Sequence, residues 1–236
     1  MKRYSGPDPD FPFLGESDRY VFPPPESWSG DIVAVGGNLS PGMLISAYEQ
    51  GIFPWYNPGD PVIWQSPDPR MVIFPEDLRV SKSMRKVLQG GDFEISFDRD
   101  FAGVIRGCSE IERPGQDGTW IDDDIIAAYV QMHRLGLAHS AEAYLDGELV
   151  GGCYGIRFCV PRDGDRLSGG AFFGESMFAR RPNASKAAFL SLALGLFADG
   201  VAFIDCQVPT PHLCSLGGRE MARMEFLALL RDTLRG

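Results

Sequence analysis

The strongest constraint on this chain is a pair of strand-like runs joined by a single apolar helix. "AFFGESMF" (171–178) leads into "NASKAAFLSLALGLFADG", and "FIDCQV" (203–208) follows almost at once. Strands of such a β-α-β unit tend to run parallel and often lie side by side. Side chains alternate along an extended chain. Phe203, Asp205 and Gln207 are therefore expected on one face, with Ile204, Cys206 and Val208 on the other. In the first strand Phe173, Glu175 and Met177 share a face. Glu175, Asp205 and Gln207 then converge on one cleft. Buried carboxylates are costly unless paired, so such a cluster needs a cation, a proton or a polar ligand. A purely structural network would instead satisfy Asp205 with backbone N–H groups and Glu175 with Arg180 or Lys186.

Bulk properties exclude several classes. The net charge of −10 argues against indiscriminate binding to nucleic acid, although charge acts through its distribution. A local basic patch exists in "RVSKSMRKVL", where Arg79, Lys82, Arg85 and Lys86 cluster, and "IDDD" at 121–124 is strongly acidic. No apolar run approaches the ~18 residues of a membrane span. The start, "MKRYSGPDPDFPFLGESDRY", has no apolar stretch behind its basic pair and does not read as a secretory signal. None of the five cysteines forms a C-x-x-C pair, so neither zinc nor a disulfide framework is indicated. A cytoplasmic setting follows by default. The cysteines read as small apolar fillers, and His133, His139 and His212 show no ligand spacing.

Helix and strand punctuation is clear in places. "SPGMLISAYEQG" has Ser40 to cap, Pro41 at the first helical position and Gly51 at the stop; Tyr48 on its apolar face reads as core. "PWYNPGDPVIWQSPDPR" reads as a Pro-rich loop, unusually aromatic. "MVIFP" and "FEISFD" read as strands, and "SKSMRKVL" as a helix capped by Ser81 or Ser83. "IDDDIIAAYVQMHRLG" reads as a helix with an Asp cap and acidic first turn, stopped by Gly136. A hairpin is expected about Asp146–Gly147. The long apolar helix starts at Asn183 or Ser185 and stops at Gly200, and "RMEFLALLRDTL" closes the chain as an amphipathic helix. The polar segment 157–170 connects two of the strands. A length of 236 residues suits one large or two small domains, with a boundary between 90 and 118.

"GIFPWYNPGDPVIWQSPDPR", "GTWI", "LVGGCYGI", "FFGESMF", "NASK" and "FIDCQV" together resemble the leucyl/phenylalanyl-tRNA–protein transferases, in order and in approximate spacing. The resemblance runs from about Val33 to the last helix. It implies an α+β chain, with a small N-terminal α/β domain over 21–100 and a GNAT-like (acyltransferase-like) catalytic domain over 101–236; the Pro and Gly content of the start reads as an irregular arm over 1–20. It implies transfer of Leu, Phe or Met from aminoacyl-tRNA to acceptor proteins beginning with Arg or Lys, which tags them for N-end rule degradation. No metal or organic cofactor is implied, and a monomer is expected.

By the same resemblance, Gln207 faces the attacking amine and the ester, Asp205 holds Gln207 and assists proton removal, and Glu175 attracts the cationic acceptor. Cys153, Met177, Phe189, Leu196 and Ile204 line the pocket for the transferred side chain. Cysteine is smaller than the residue often found at position 153 in the family, which points to a larger pocket favouring Phe. Trp55, Trp120, Tyr129 and Phe172 receive the 3′ adenosine, where stacking contributes ~1–3 kcal/mol per base. Arg79, Lys82, Arg85 and Lys86 meet the acceptor-stem backbone. Two departures stand out: the 157–170 connector is longer than the family's usual hairpin, and the chain stops at Gly236 without the tail of some relatives.

Two other readings compete. A GNAT-type acyl-CoA-dependent N-acyltransferase needs a Gly-rich turn before the long helix, to hold pyrophosphate on backbone N–H groups. "FARRPNASK" has no glycine there and a proline that lacks the donor, although Arg180 and Arg181 offer charge. A non-catalytic tRNA- or peptide-binding relative would not need the full set Glu175, Asp205 and Gln207.

Overall fold

The computed structural model describes residues 5–28, 30–111, 119–161 and 167–235. Residues 162–166 of the polar connector lie outside it. The chain is α+β, with two sheets. Described residues 5–20 contain no helix or strand, only an isolated bridge between Gly6 and Pro61. A three-stranded antiparallel sheet follows, built from β1 (Ile32–Val35), β2 (Phe53–Pro54) and β3 (Ile63–Gln65) in the order β1-β3-β2. Two of these strands fall in the segment expected to be a Pro-rich loop. They escape notice because they are only two and three residues long, and the proline sits on an edge strand where no donor is missed. Between β1 and β2 runs α1 (Pro41–Glu49), stopped at Gly51 with φ +74°.

The large sheet has the order β10-β4-β9-β8-β7-β6-β5. Its strands are β4 (Arg70–Ile73), β5 (Glu94–Phe97), β6 (Ala138–Leu145), β7 (Glu148–Pro161), β8 (Leu167–Ala179), β9 (Phe203–Gln207) and β10 (Arg219–Met221). All neighbours are antiparallel except β8 and β9, which are parallel as the crossover predicts. The β6–β7 hairpin turns at Asp146 and Gly147, both at positive φ. β4 and β5 precede residue 101, so residues on both sides of that point build this sheet.

Helices cover both faces. On one side α5 (Ala184–Ala198) and α2 (Lys82–Gly90) pack over a core that includes Phe172, Phe189 and Ile204. On the other, α3 (Phe101–Glu110), α4 (Asp123–Arg134), α1 and α7 (Arg223–Arg235) enclose Tyr48, Tyr129, Phe173 and Phe226. A short α6 (Pro211–Ser215) follows β9. α3 was not foreseen, because Gly103 and Gly107 weaken its helical pattern. Gly107 has a packing reason: a Cβ there would lie 2.6 Å from the Phe178 ring of β8. The expected caps of α2 and α4 form, with Ser81 accepting from Met84 N–H at 3.2 Å and Asp122 from Ile125 N–H at 2.9 Å.

Candidate active site

β8 and β9 pair only as far as Phe173 and Asp205. Beyond that point the strands continue unpaired with each other, and a cavity of about 1050 Å³ opens there. Both strands are irregular at this place. Against β7, the partner of β8 jumps from Gly174 to Ser176, so Glu175 is the extra residue of a bulge. Against β4, the partner of β9 jumps from Asp205 to Gln207, so Cys206 is extra. Bulges re-aim side chains. Glu175, Ser176 and Met177 all border the cavity, and so do consecutive Cys206 and Gln207.

Gln207 departs further from strand geometry. Its φ is +57°, uncommon for a residue with a side chain. Two bonds hold it there. Its N–H donates to Asp205 Oδ1 at 2.9 Å, and Val208 N–H donates to the Cys206 carbonyl at 2.8 Å. Its side-chain Nε2 reaches Glu175 Oε1 at 3.5 Å. Of the three polar groups expected to converge, Glu175 and Gln207 therefore meet in the cavity.

Asp205 does not border the cavity. It is fully buried and takes Arg70 from β4 in a bidentate pair: Nε to Oδ1 at 2.8 Å and Nη2 to Oδ2 at 2.7 Å. The Arg70 guanidinium lies between the rings of Phe53 and Phe226, 5.0 Å and 4.4 Å from their centroids. Its Nη1 has no hydrogen-bond partner among the described residues. Arg70 was not foreseen as part of the site. Its signal is weak in the sequence: an arginine at the edge of the apolar run "MVIFP".

Glu175 pairs with neither Arg180 nor Lys186. Arg180 instead meets Glu110 at 3.0 Å. Glu175 sits against two phenols: the Tyr48 hydroxyl donates to Oε1 at 2.7 Å, and the Tyr129 hydroxyl lies 3.1 Å from Oε2. The two hydroxyls also hydrogen-bond to each other. Burial pushes the Glu175 carboxyl up to about 7; the tyrosine bonds and Arg70 pull it back, and Asp205 adds to the rise. Burial likewise raises both phenols well above their ordinary value, with the Glu175 charge adding to it.

Tyr48 is core, as expected, and also a partner of Glu175. Tyr129 is fully buried, so no base can stack on it from the cavity; its hydroxyl serves Glu175 instead. Trp55 and Trp120 are part-exposed and line the cavity, and Phe172 borders it from below at 1% exposure. Cys153, Met177 and Phe189 also line it. Leu196 and Ile204 do not: they lie in the core beneath, on α5 and β9. Burial pushes the thiols of Cys153 and Cys206 far above their ordinary range, so both act as apolar lining rather than nucleophiles. His212 of α6 borders the cavity too, with its pKa lowered by burial and by Lys186; nothing in its sequence spacing signals this.

Arg79, Lys82, Arg85 and Lys86 are exposed, and none has an ion-pair partner among the described residues. α2 packs on α5, whose Phe189 lines the cavity. The Arg79 N–H bonds to Leu216 O at 2.9 Å, just past α6. The basic face thus lies on elements that adjoin the cavity. Among the described residues no helix is long and apolar enough to cross a membrane.

Two family models match the chain: the leucyl/phenylalanyl-tRNA protein transferase N-terminal domain over residues 37–68, and leucyl/phenylalanyl-tRNA protein transferase over 72–231. Among curated proteins it is similar to the leucyl/phenylalanyl-tRNA–protein transferase of Myxococcus xanthus, 46% identical with 94% of this chain and 91% of that one covered. The protein of that name from Chromobacterium violaceum is 47% identical, with 95% and 92% covered. That from Anaeromyxobacter is 50% identical, with 91% and 90% covered. Among solved structures, a GCN5-related N-acetyltransferase from Kribbella flavida matches at TM-score 0.40 and 12% identity, over 78% of this chain and 62% of that one. A GCN5-related N-acetyltransferase-like protein from Streptococcus suis matches at TM-score 0.37 and 15% identity, over 79% and 66%. This chain thus spans less than two thirds of each of those two structures.

Proposed function

Because this chain belongs to the leucyl/phenylalanyl-tRNA–protein transferase family, we propose that its cavity receives the aminoacyl end of a leucyl-, phenylalanyl- or methionyl-tRNA. The amino acid passes to the N-terminal Arg or Lys of an acceptor protein, which is thereby marked for N-end rule degradation. The carrying observation is the meeting of Glu175 and Gln207 in a cavity walled mainly by apolar and aromatic side chains.

The aminoacyl ester is already activated, so the bond-making step is attack of an amine on an ester carbonyl. An α-amino group titrates near 7.7–8.0, so an appreciable fraction of it is neutral at physiological pH. Holding the amine and ester in line then supplies much of the acceleration, with a ceiling of ~7–11 kcal/mol for well-oriented groups. Gln207 is the group placed to do this, since its amide can both donate and accept. Asp205 acts through Gln207 as a positioning residue, gripping its backbone N–H while Arg70 neutralises the buried charge. Cys153, Met177 and Phe189 receive the apolar side chain, and the adaptable thioether suits both branched and aromatic guests. Trp55 and Trp120 stack on the terminal adenosine, and the α2 basic face follows the acceptor-stem phosphates.

The small N-terminal domain is read as ending between Asp68 and Val72. The two family models meet there, and every strand from β4 onward belongs to the large sheet. One chain carries every group assigned here, so a monomer suffices, and charged tRNA places the reaction in the cytoplasm.

The test is direct. Incubated with labelled Phe-tRNA and a peptide beginning with Arg, the protein is expected to move label onto the peptide and to leave a peptide beginning with Ala unlabelled. A folded protein that transfers nothing from Leu-, Phe- or Met-tRNA, or that acylates the peptide from acetyl-CoA, would overturn the assignment.

A further inference from the structure

We infer that Glu175 rests as the neutral acid within a closed ring of hydrogen bonds to Tyr48 and Tyr129, and that it hands its proton to the departing 3′ oxygen of the tRNA. Three oxygen-to-oxygen contacts close the ring: Tyr48 to Glu175 Oε1, Tyr129 to Glu175 Oε2, and Tyr48 to Tyr129. Two phenols bring one hydrogen each. With an ionised carboxylate the three contacts share only two hydrogens, so one pair of oxygens faces each other with only lone pairs between them. With a protonated carboxyl there is one hydrogen for each contact, and the ring is satisfied in either sense of rotation. A neutral carboxyl therefore fits all three contacts.

The surroundings agree. Both phenols are fully buried, and their raised pKa values rule out a tyrosinate. The other groups facing this site are Gln207, Tyr154 beside Tyr129, and the Asp205–Arg70 pair, whose opposite charges act on Glu175 in opposite directions. None supplies a net cation to hold a carboxylate. Burial pushes Glu175 to about 7.

In the reaction the neutral amine attacks the ester carbonyl and forms a tetrahedral adduct with a positive nitrogen and a negative oxygen. As the C–O3′ bond breaks, its electron pair stays on O3′; the Glu175 carboxyl, which borders the cavity, turns its O–H from the phenol to O3′ and gives up the proton there. The surplus N–H proton then returns to the Glu175 carboxylate, restoring the ring. Glu175 is thus a general acid, in place of a fixed anion for the acceptor's cation. That role rests on the transferase reading; the resting protonation does not.

Infrared difference spectra of wild type against Glu175→Gln, without substrate, test the ring. The wild type is expected to show the carbonyl band of a protonated carboxyl, absent from the variant and fading as pH rises through neutrality. A wild type without that band at pH 6 overturns the inference, whatever the activity. Single-turnover transfer from Phe-tRNA to an Arg peptide tests the role. The amide can take over the neutral acid's place in the ring, so the variant is expected to fold and to bind Phe-tRNA as the wild type does. Its rate is expected to fall by about 10²-fold or more. The wild-type rate rises with amine deprotonation and falls as Glu175 ionises, whereas the variant keeps only the rise. A variant with the wild-type rate and the same bell-shaped profile overturns the acid role. A wild type that transfers nothing from any aminoacyl-tRNA sinks the transferase reading and leaves the infrared result standing.

Discussion

Asp205→Ala is expected to injure the fold more than any other single change at the site. Its carboxylate and the Arg70 guanidinium are both fully buried and joined by two bonds of 2.8 and 2.7 Å. Removing one partner of such a pair leaves an uncompensated buried charge, at a cost of about 3–5 kcal/mol. Here the cost sits at the upper end of that range, because Arg70 Nη1 already lacks a partner among the described residues and the flanking Phe53 and Phe226 rings admit little water. A domain is commonly stable by only about 5–15 kcal/mol, so the variant approaches the margin. Urea unfolding of Asp205→Ala, Arg70→Met and the double variant Arg70→Met/Asp205→Leu would measure this. Each charge-stranding single change should cost about 3 kcal/mol or more. The double variant, with no charge left to strand, should cost at least ~2 kcal/mol less than the sum of the singles. Additive losses, or an Asp205→Ala loss below ~1 kcal/mol, would mean that no stranded charge burdens the single variants. Asp205→Asn should retain more transfer activity than Asp205→Ala once both are compared as folded protein. Its amide oxygen can still accept the Gln207 N–H, which keeps that residue in its turn.

Three further outcomes can be checked. Glu175→Gln should gain stability relative to wild type as pH rises from 5 to 8. A carboxyl raised from its ordinary 4.5 to about 7 binds its proton more tightly in the folded state; its contribution is full below 4.5 and lost as pH passes 7, a difference on the order of 3 kcal/mol, readable in urea midpoints against pH. Lys82→Ala/Arg85→Ala should lower the slope of log affinity for tRNA against log salt by about 1.5, and an unchanged slope would remove α2 from the interface. Cys153→Ile should narrow the side-chain pocket and lower the Phe-over-Leu ratio of kcat/KM by about ten-fold, measured with the two charged tRNAs in competition.

Much of the scaffold was legible from sequence because it obeys local rules. Asp122 and Ser81 cap helices by bonding the third residue on. Gly51 and Gly136 stop helices at positive φ, and Asp146–Gly147 turns a hairpin. The parallel pairing of β8 with β9 followed from the single crossover helix. What escaped was set by long-range packing. α3 carries two glycines, one of which makes sense only beside the Phe178 ring. β2 and β3 are too short to show a period. Arg70 lies 135 residues from Asp205 along the chain, and no local pattern links an arginine in one strand to an aspartate in another.

The site itself shows why alternation could bring the right residues together and still misplace one of them. A strict two-residue period puts Asp205 and Gln207 on one face of β9 and Phe173 with Glu175 on one face of β8. Each strand carries one extra residue, at Cys206 and at Glu175, and one inserted residue shifts everything after it to the opposite face. Asp205 stands before its bulge and stays in the sheet, opposite Val72 and bonded to the Arg70 side chain. Gln207 stands after it and swings into the cavity, steadied by the carboxylate it has left behind. Glu175, at its own bulge, keeps the face of Phe173, whose ring packs on Tyr48, and reaches Tyr48 and Tyr129; Met177, after the bulge, turns to the opposite core. The two irregularities lie where β8 and β9 stop pairing, so the feature that opens the cavity also turns the polar groups into it. A flat, regular β8–β9 pair would leave no room for a ligand between the strands.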